Sequence, residues 1–235
     1  MPPFEEIIRR NLDSIRRRIA EAAERSGRAA DAVRLIAVTK YVGLDEIRAL
    51  HAAGCRDFGE SRPQDLWEKV EMLRDLPLNW HLIGHLQRNK VRRTLPLVSL
   101  LHSGDSLAVL EAVNRLGGEI DRHFNVLIEV NISGDENKHG FRAAEVAEAL
   151  PRIAEMNNVS VKGLMAMASR EGGIAQARKD FENVRALRER LVEQDVKRIG
   201  LSELSMGMSD DFEAAIEQGA TMVRIGSALF EESTA

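Results

Sequence analysis

Eight short apolar runs, alternating with stretches of helical spacing, restrict the fold of this 235-residue chain more than any other feature. They cover residues 35–38, 56–60, 80–84, 98–103, 125–131, 161–167, 203–207 and 222–226. The first, Leu-Ile-Ala-Val, shows no polar alternation, as expected of a strand packed on both faces. Between the runs, Leu44, Ile47, Leu50 and Ala53 recur at helical intervals, as do Leu66, Val70 and Leu73. Ala177, Phe181, Val184, Leu187 and Leu191 do the same further on. Residues 106–116 and 143–154 also read as helices, and 87–91 as a basic helix start. Asp210 and Glu213 have capping-box spacing, with Asp210 as the cap of a helix running to Gly219.

Each helix supplies the crossover that a parallel strand pair requires. The expected fold is therefore α/β, a single (β/α)8 TIM barrel. Residues 1–27 add an N-terminal helix with Ile8, Leu12, Ile15, Ile19 and Ala22 on one face, expected to pack on the barrel beside the last strand. With no repeat or long linker, residues 1–235 read as one domain. A doubly wound open sheet is the alternative, but no glycine-rich dinucleotide fingerprint follows Val38.

An apolar content of 44% with 30% charged residues is that of a soluble globular protein. A net charge of −4 argues against bulk attraction to nucleic acid, and Arg88, Lys90, Arg92 and Arg93 read as a solvated helix face. No run approaches the ~20 apolar residues of a membrane span, and the N-terminus has no signal-peptide pattern, so a cytoplasmic location is expected. The single cysteine, Cys55, excludes an intrachain disulfide and reads as a buried thiol.

In such a barrel the chemistry lies at the C-terminal edge of the strands. Lys40 stands there after the first strand, either snorkelling to solvent or used as an amine that forms a Schiff base. The loops after strands seven and eight, 205–209 and 226–227, hold small residues whose backbone N–H groups can approach a phosphate. An aldehyde bearing a phosphate fits both features. Arg224 suits the ring nitrogen of pyridoxal phosphate, which it would keep unprotonated, or else a salt bridge to a barrel carboxylate. His81 and Asn131 also stand at strand ends, where Asn131 could touch a cofactor or satisfy its own loop. Glu60 could orient a neighbour or cap the next helix. His81 and His85 straddle Gly84 and share no helical face, so no metal site is expected.

Several blocks resemble the pyridoxal-phosphate homeostasis protein family: Ala37-Val38-Thr39-Lys40, Trp80-His81-Leu82-Ile83-Gly84-His85-Leu86-Gln87-Arg88-Asn89-Lys90, His102-Ser103-Gly104-Asp105-Ser106 and Asn131-Ile132-Ser133. So do Lys138-His139-Gly140-Phe141, Gly163-Leu164-Met165, Leu204-Ser205-Met206-Gly207-Met208-Ser209 and Val223-Arg224-Ile225-Gly226. The resemblance implies a barrel related to the N-terminal domain of alanine racemases, with pyridoxal 5'-phosphate held as an internal aldimine on Lys40. It further implies a phosphate site of Ser205, Met206, Gly226 and Ser227, with Arg224 at the ring nitrogen. His81 and Asn131 complete the candidate cofactor-binding set. The family commonly has Gly-Glu-Asn after strand two, whereas this chain has Gly59-Glu60-Ser61.

Racemisation needs a second base on the face opposite the lysine. In the alanine racemases a tyrosine from the partner's second domain supplies it. Here no second domain follows, and the one tyrosine, Tyr41, adjoins the lysine and reads as a pocket-wall residue. The expected function is buffering and delivery of the cofactor to pyridoxal-phosphate-dependent apo-enzymes, by a monomer with little turnover. A weak amino-acid racemase is the alternative.

Overall fold

The structure, a computed structural model, describes residues 3–135 and 138–231. The chain runs α1 (Phe4–Arg25), β1 (Arg34–Val38), α2 (Leu44–Ala52), β2 (Asp57–Glu60), α3 (Pro63–Met72) and β3 (Asn79–Leu82). Two 3-10 turns flank the short α4 (Val91–Thr94), followed by β4 (Leu100–Gly104), α5 (Leu107–Ile120) and β5 (Phe124–Asn131). Then come β6 (Phe141–Arg142), α6 (Ala143–Ala154), β7 (Val159–Ala166), α7 (Gly173–Glu193) and β8 (Ile199–Ser205). The described chain closes with α8 (Phe212–Glu217), β9 (Met222–Ile225) and α9 (Ser227–Phe230).

The strands pair in the order β4-β3-β2-β1-β9-β8-β7-β5, and β4 pairs with β5. All these pairings are parallel. The sheet thus closes into the expected eight-stranded barrel. The two-residue β6, absent from the sequence reading because it is too short to show a period, pairs parallel with the end of β5.

Two cores follow from closure. Ile36, Leu100, Leu127, Met165 and Met222 form a small cluster in the barrel interior, and a larger one lies between strands and helices. α1 packs on α2, α8 and α9 through its buried Ile8, Leu12, Ile15 and Ile19, as its apolar spacing requires. Asn11 on the same face donates to the carbonyls of Leu229 and Glu231 at 3.2 and 2.9 Å.

One helix start differs from expectation. Asp211, not Asp210, is the N-cap of α8, and the helix stops at Glu217. The Asp211 carboxylate accepts from the Met208 N–H at 2.6 Å, bracing the preceding loop instead of capping the helix. No helix among the described residues is long and apolar enough to cross a membrane.

Candidate functional site at the C-terminal mouth of the barrel

Lys40 leaves the C-terminal end of β1 and is exposed. Among the described residues its amine has no hydrogen-bond or ion-pair partner, and it rests 4.8 Å from the centroid of the Tyr41 ring, itself 85% exposed. The strand end behind it is tied down. Thr39, buried, donates its hydroxyl to Glu60 Oε1 at 2.7 Å, while Lys69 of α3 reaches that oxygen at 2.6 Å and the Thr39 carbonyl at 2.7 Å. Glu60 therefore orients its neighbours, and among the described residues it caps no helix.

Arg224 is buried in β9. Its Nη1 donates to the Ser205 carbonyl at 2.8 Å and hydroxyl at 2.6 Å, and Nη2 to the Ala166 carbonyl at 3.0 Å. Of the five N–H donors of a guanidinium, two have no partner among the described residues. Burial pulls its pKa down to about 10, against the attraction of Glu129 and Asp211, so it stays charged at neutral pH. It forms no ion pair with a carboxylate among the described residues. The salt-bridge alternative gives way to carbonyl and hydroxyl partners.

The loops after β8 and β9 meet beside it. Gly207 has φ +94, and a Cβ there would lie 2.6 Å from Ala215 Cβ and 3.0 Å from Phe212 Cα, so only glycine fits. The Arg224 N–H donates to the Gly207 carbonyl at 3.0 Å, and the Gly226 N–H to the Ser209 hydroxyl at 3.3 Å. Gly226 and the exposed Ser227 at the start of α9 form an open rim. Ser205 and Met206 are placed differently. The Ser205 hydroxyl is taken by Arg224 and His102, and the Met206 N–H donates to the Met222 carbonyl, with its side chain fully buried.

Two further candidates turn away from the mouth. His81 lies inside the barrel, between His102 at 3.0 Å and Asp57 at 3.1 Å. The Asn131 side chain is occupied by its own loop, donating to the Asp135 carbonyl at 2.7 Å and accepting from the Ser133 hydroxyl at 3.2 Å. Ser61, at the departure from the family pattern, presses its backbone on Gly84, where a Cβ would lie 2.2 Å from the Ser61 carbonyl oxygen.

Sequence reasoning passed over Glu129. It shares the inward parity of Leu127 and Asn131 on β5, and burial, then Asp105, push its pKa up to about 7 despite Arg224. A carboxylate inside an otherwise apolar run was the available signal. On the rim after β3, His85 Nδ1 meets the buried Asp105 carboxylate at 2.6 Å, and its ring stacks on His139 at 4.2 Å and 11°. Ligand atoms of these three residues lie within 4.8 Å of one another. Imidazole lone pairs lie in the ring planes, and two nearly parallel stacked planes cannot both contain one ion. The cluster reads as an oriented histidine, not a metal site.

A closed parallel barrel with a lysine after its first strand and a buried arginine in its last defines the alanine racemase N-terminal domain class. The chain belongs to that family, whose model matches residues 10–234, and within it to the group of relatives named pyridoxal phosphate homeostasis protein. The relative from Aquifex aeolicus is 39% identical over 221 residues, covering 94% of this chain and 96% of its own. That from Pseudomonas aeruginosa is 39% identical over 223 residues, covering 95% and 94%. Among solved structures, PipY of Synechococcus elongatus with pyridoxal phosphate bound superposes with a TM-score of 0.84 at 34% identity, covering 95% of this chain and all (100%) of PipY. An alanine racemase from Clostridium difficile shares the fold at a TM-score of 0.76 and 14% identity, and this chain spans 58% of its length.

Proposed function

We propose that this chain holds pyridoxal 5'-phosphate covalently through Lys40 and buffers and delivers it to apo-enzymes, as a cytoplasmic monomer of one domain with little turnover. The observation that carries this is the meeting at one barrel mouth of an amine and a charged arginine with two donors, none of them partnered among the described residues, beside a small-residue rim. The names of the relatives, and the pyridoxal phosphate bound to PipY, support the choice of ligand.

When bound, pyridoxal phosphate supplies an aldehyde that an amine captures reversibly with loss of water. Lys40 offers that amine, held at a strand end braced by Glu60 and Lys69. Gly226 and Ser227 would line the phosphate rim, with Ser205 and Met206 beneath it, while His81 would act on the cofactor through His102 and Ser205, and Asn131 through its bonds to Ser133 and Asp135. Arg224 donates only, so it would orient the ring nitrogen without giving up a proton. Tyr41 points to solvent and is poorly placed as a second base.

One observation favours the racemase alternative: His85, oriented by Asp105 on the same rim, has the form of a general base. Titration with pyridoxal phosphate, followed by visible absorbance, tests the binding. The wild type should develop a yellow band at one equivalent and Lys40→Ala should not. Solvent deuterium exchange at Cα of amino acids tests the turnover. Exchange lost in both Lys40→Ala and His85→Ala would replace the carrier by a racemase.

A further inference from the structure

Below Arg224, polar side chains continue along the barrel interior in an unbroken line. Arg224 Nη1 lies 2.6 Å from Ser205 Oγ, and Ser205 Oγ lies 2.9 Å from His102 Nδ1. His102 Nε2 is 3.0 Å from His81 Nδ1, and His81 Nε2 is 3.1 Å from Asp57 Oδ1. Arg224, Ser205, His102 and His81 are all at most 4% exposed. Asp57, half-buried at the start of β2, borders a polar cavity of about 500 Å³ with Arg34, Asn79, Lys162 and Glu203, at the end of the barrel opposite Lys40.

The ends of this line decide the direction of every bond in it. A guanidinium can only donate, so Ser205 Oγ accepts from Arg224 and turns its single proton to His102 Nδ1. A neutral His102 then carries its proton on Nε2 and donates to His81 Nδ1. His81 in turn carries its proton on Nε2 and donates to Asp57, a carboxylate that can only accept. Complete burial above all, with the charges of Arg224 and Arg34 adding to it, holds the His102 pKa well below the usual histidine range, so the neutral form is the one present. The reverse direction would aim two donors at Ser205 Oγ and leave its own proton without an acceptor, a costly arrangement in a buried site.

We propose that Asp57, His81 and His102 are positioning residues for Arg224: by fixing the Ser205 hydroxyl as an acceptor, they hold the guanidinium with its two spare N–H groups free for a ligand at the opposite end of the barrel. None of the three touches that ligand. Their effect on a bound pyridine ring rests on the function proposed above; the direction of the chain does not.

Two measurements separate these. In the apo-protein labelled with 15N, long-range proton–nitrogen correlation reads each histidine tautomer directly. His102 should be neutral with its proton on Nε2, and His81 should accept at Nδ1 with its proton on Nε2. A proton on His102 Nδ1, or a charged His102, would overturn the proposal whether or not the protein binds a cofactor.

The second measurement uses replacements at position 102. His102→Gln can still accept from Ser205 and donate to His81, whereas His102→Leu cannot. Leu should speed exchange of the Arg224 Nε–H in the apo-protein by about tenfold, the equivalent of one hydrogen bond. It should also shift the visible band of the loaded protein, while Gln leaves both within about twofold of wild type. Asp57→Leu, at the half-buried outer end of the line, should move the same readouts in the same direction. A folded Asp57→Leu protein with wild-type Arg224 exchange and His102 tautomer would show that the line is packing and not positioning.

Discussion

Lys69 Nζ lies 2.6 Å from Glu60 Oε1, with Glu60 fully buried and the lysine 12% exposed, directly behind the strand end that presents Lys40. The same ammonium holds the Thr39 carbonyl, and Thr39 holds the carboxylate. Three elements, β1, β2 and α3, are thereby fixed at one point beside the candidate nucleophile.

Removing the lysine strands the charge on Glu60, whose Oε2 already has no partner. Lys69→Met should destabilise the fold by about 3–5 kcal/mol, the usual cost of an uncompensated buried charge. The double replacement Glu60→Gln with Lys69→Met should recover much of that loss. Urea unfolding of the three variants measures it, and backbone hydrogen exchange at Lys40 should rise in the single variant.

Glu129 gives the stability a distinct pH dependence. Its folded pKa of about 7 exceeds the ordinary 4.5 because burial disfavours its charge, so the folded state binds the proton more tightly than the unfolded state. Stability from this group is present at pH 4.5, falls as pH rises toward 7, and is lost above it by on the order of 3 kcal/mol. Glu129→Gln should accordingly stabilise the protein at pH 8 and change little at pH 5, as read by urea midpoints at the two values.

At Gly163 a Cβ would lie 1.8 Å from the Glu203 carbonyl oxygen of the neighbouring strand. Gly163→Ala must push β7 and β8 apart and should cost about 3 kcal/mol or more. A thermal midpoint within a degree or two of wild type would show that the strands separate easily.

Asn11 carries two bonds from α1 to the end of the described chain. Asn11→Ala leaves those carbonyls partly unsatisfied and should cost about 1–3 kcal/mol in urea unfolding. Loss of residues 1–27 should expose the apolar face of α1's partners and leave an aggregating protein, detectable by light scattering.

The barrel was legible because strand and helix periods differ so sharply, and Lys40, Gly226 and Ser227 were legible because topology fixes which strand ends share a mouth. For His81, Asn131 and Ser205 the strand end was legible, but not where the side chain points. A strand end is shared by the inward face, the outward face and the loop, and residue type alone does not choose among them. The ion pair of Lys69 with Glu60 and the line from Asp57 to Arg224 join distant segments, so no local spacing announces them. Glu129 stood out as the one carboxylate in an apolar run, but its spacing alone does not say that it meets Asp105 and Arg224.

The most direct measurement is borohydride reduction of the protein after incubation with pyridoxal phosphate, followed by peptide mass analysis. A single permanent adduct on the peptide carrying Lys40, absent from Lys40→Ala, is the expected result. A wild-type protein that carries no adduct, or carries it on another lysine such as Lys138, would contradict the assignment of Lys40 as the anchor of the site.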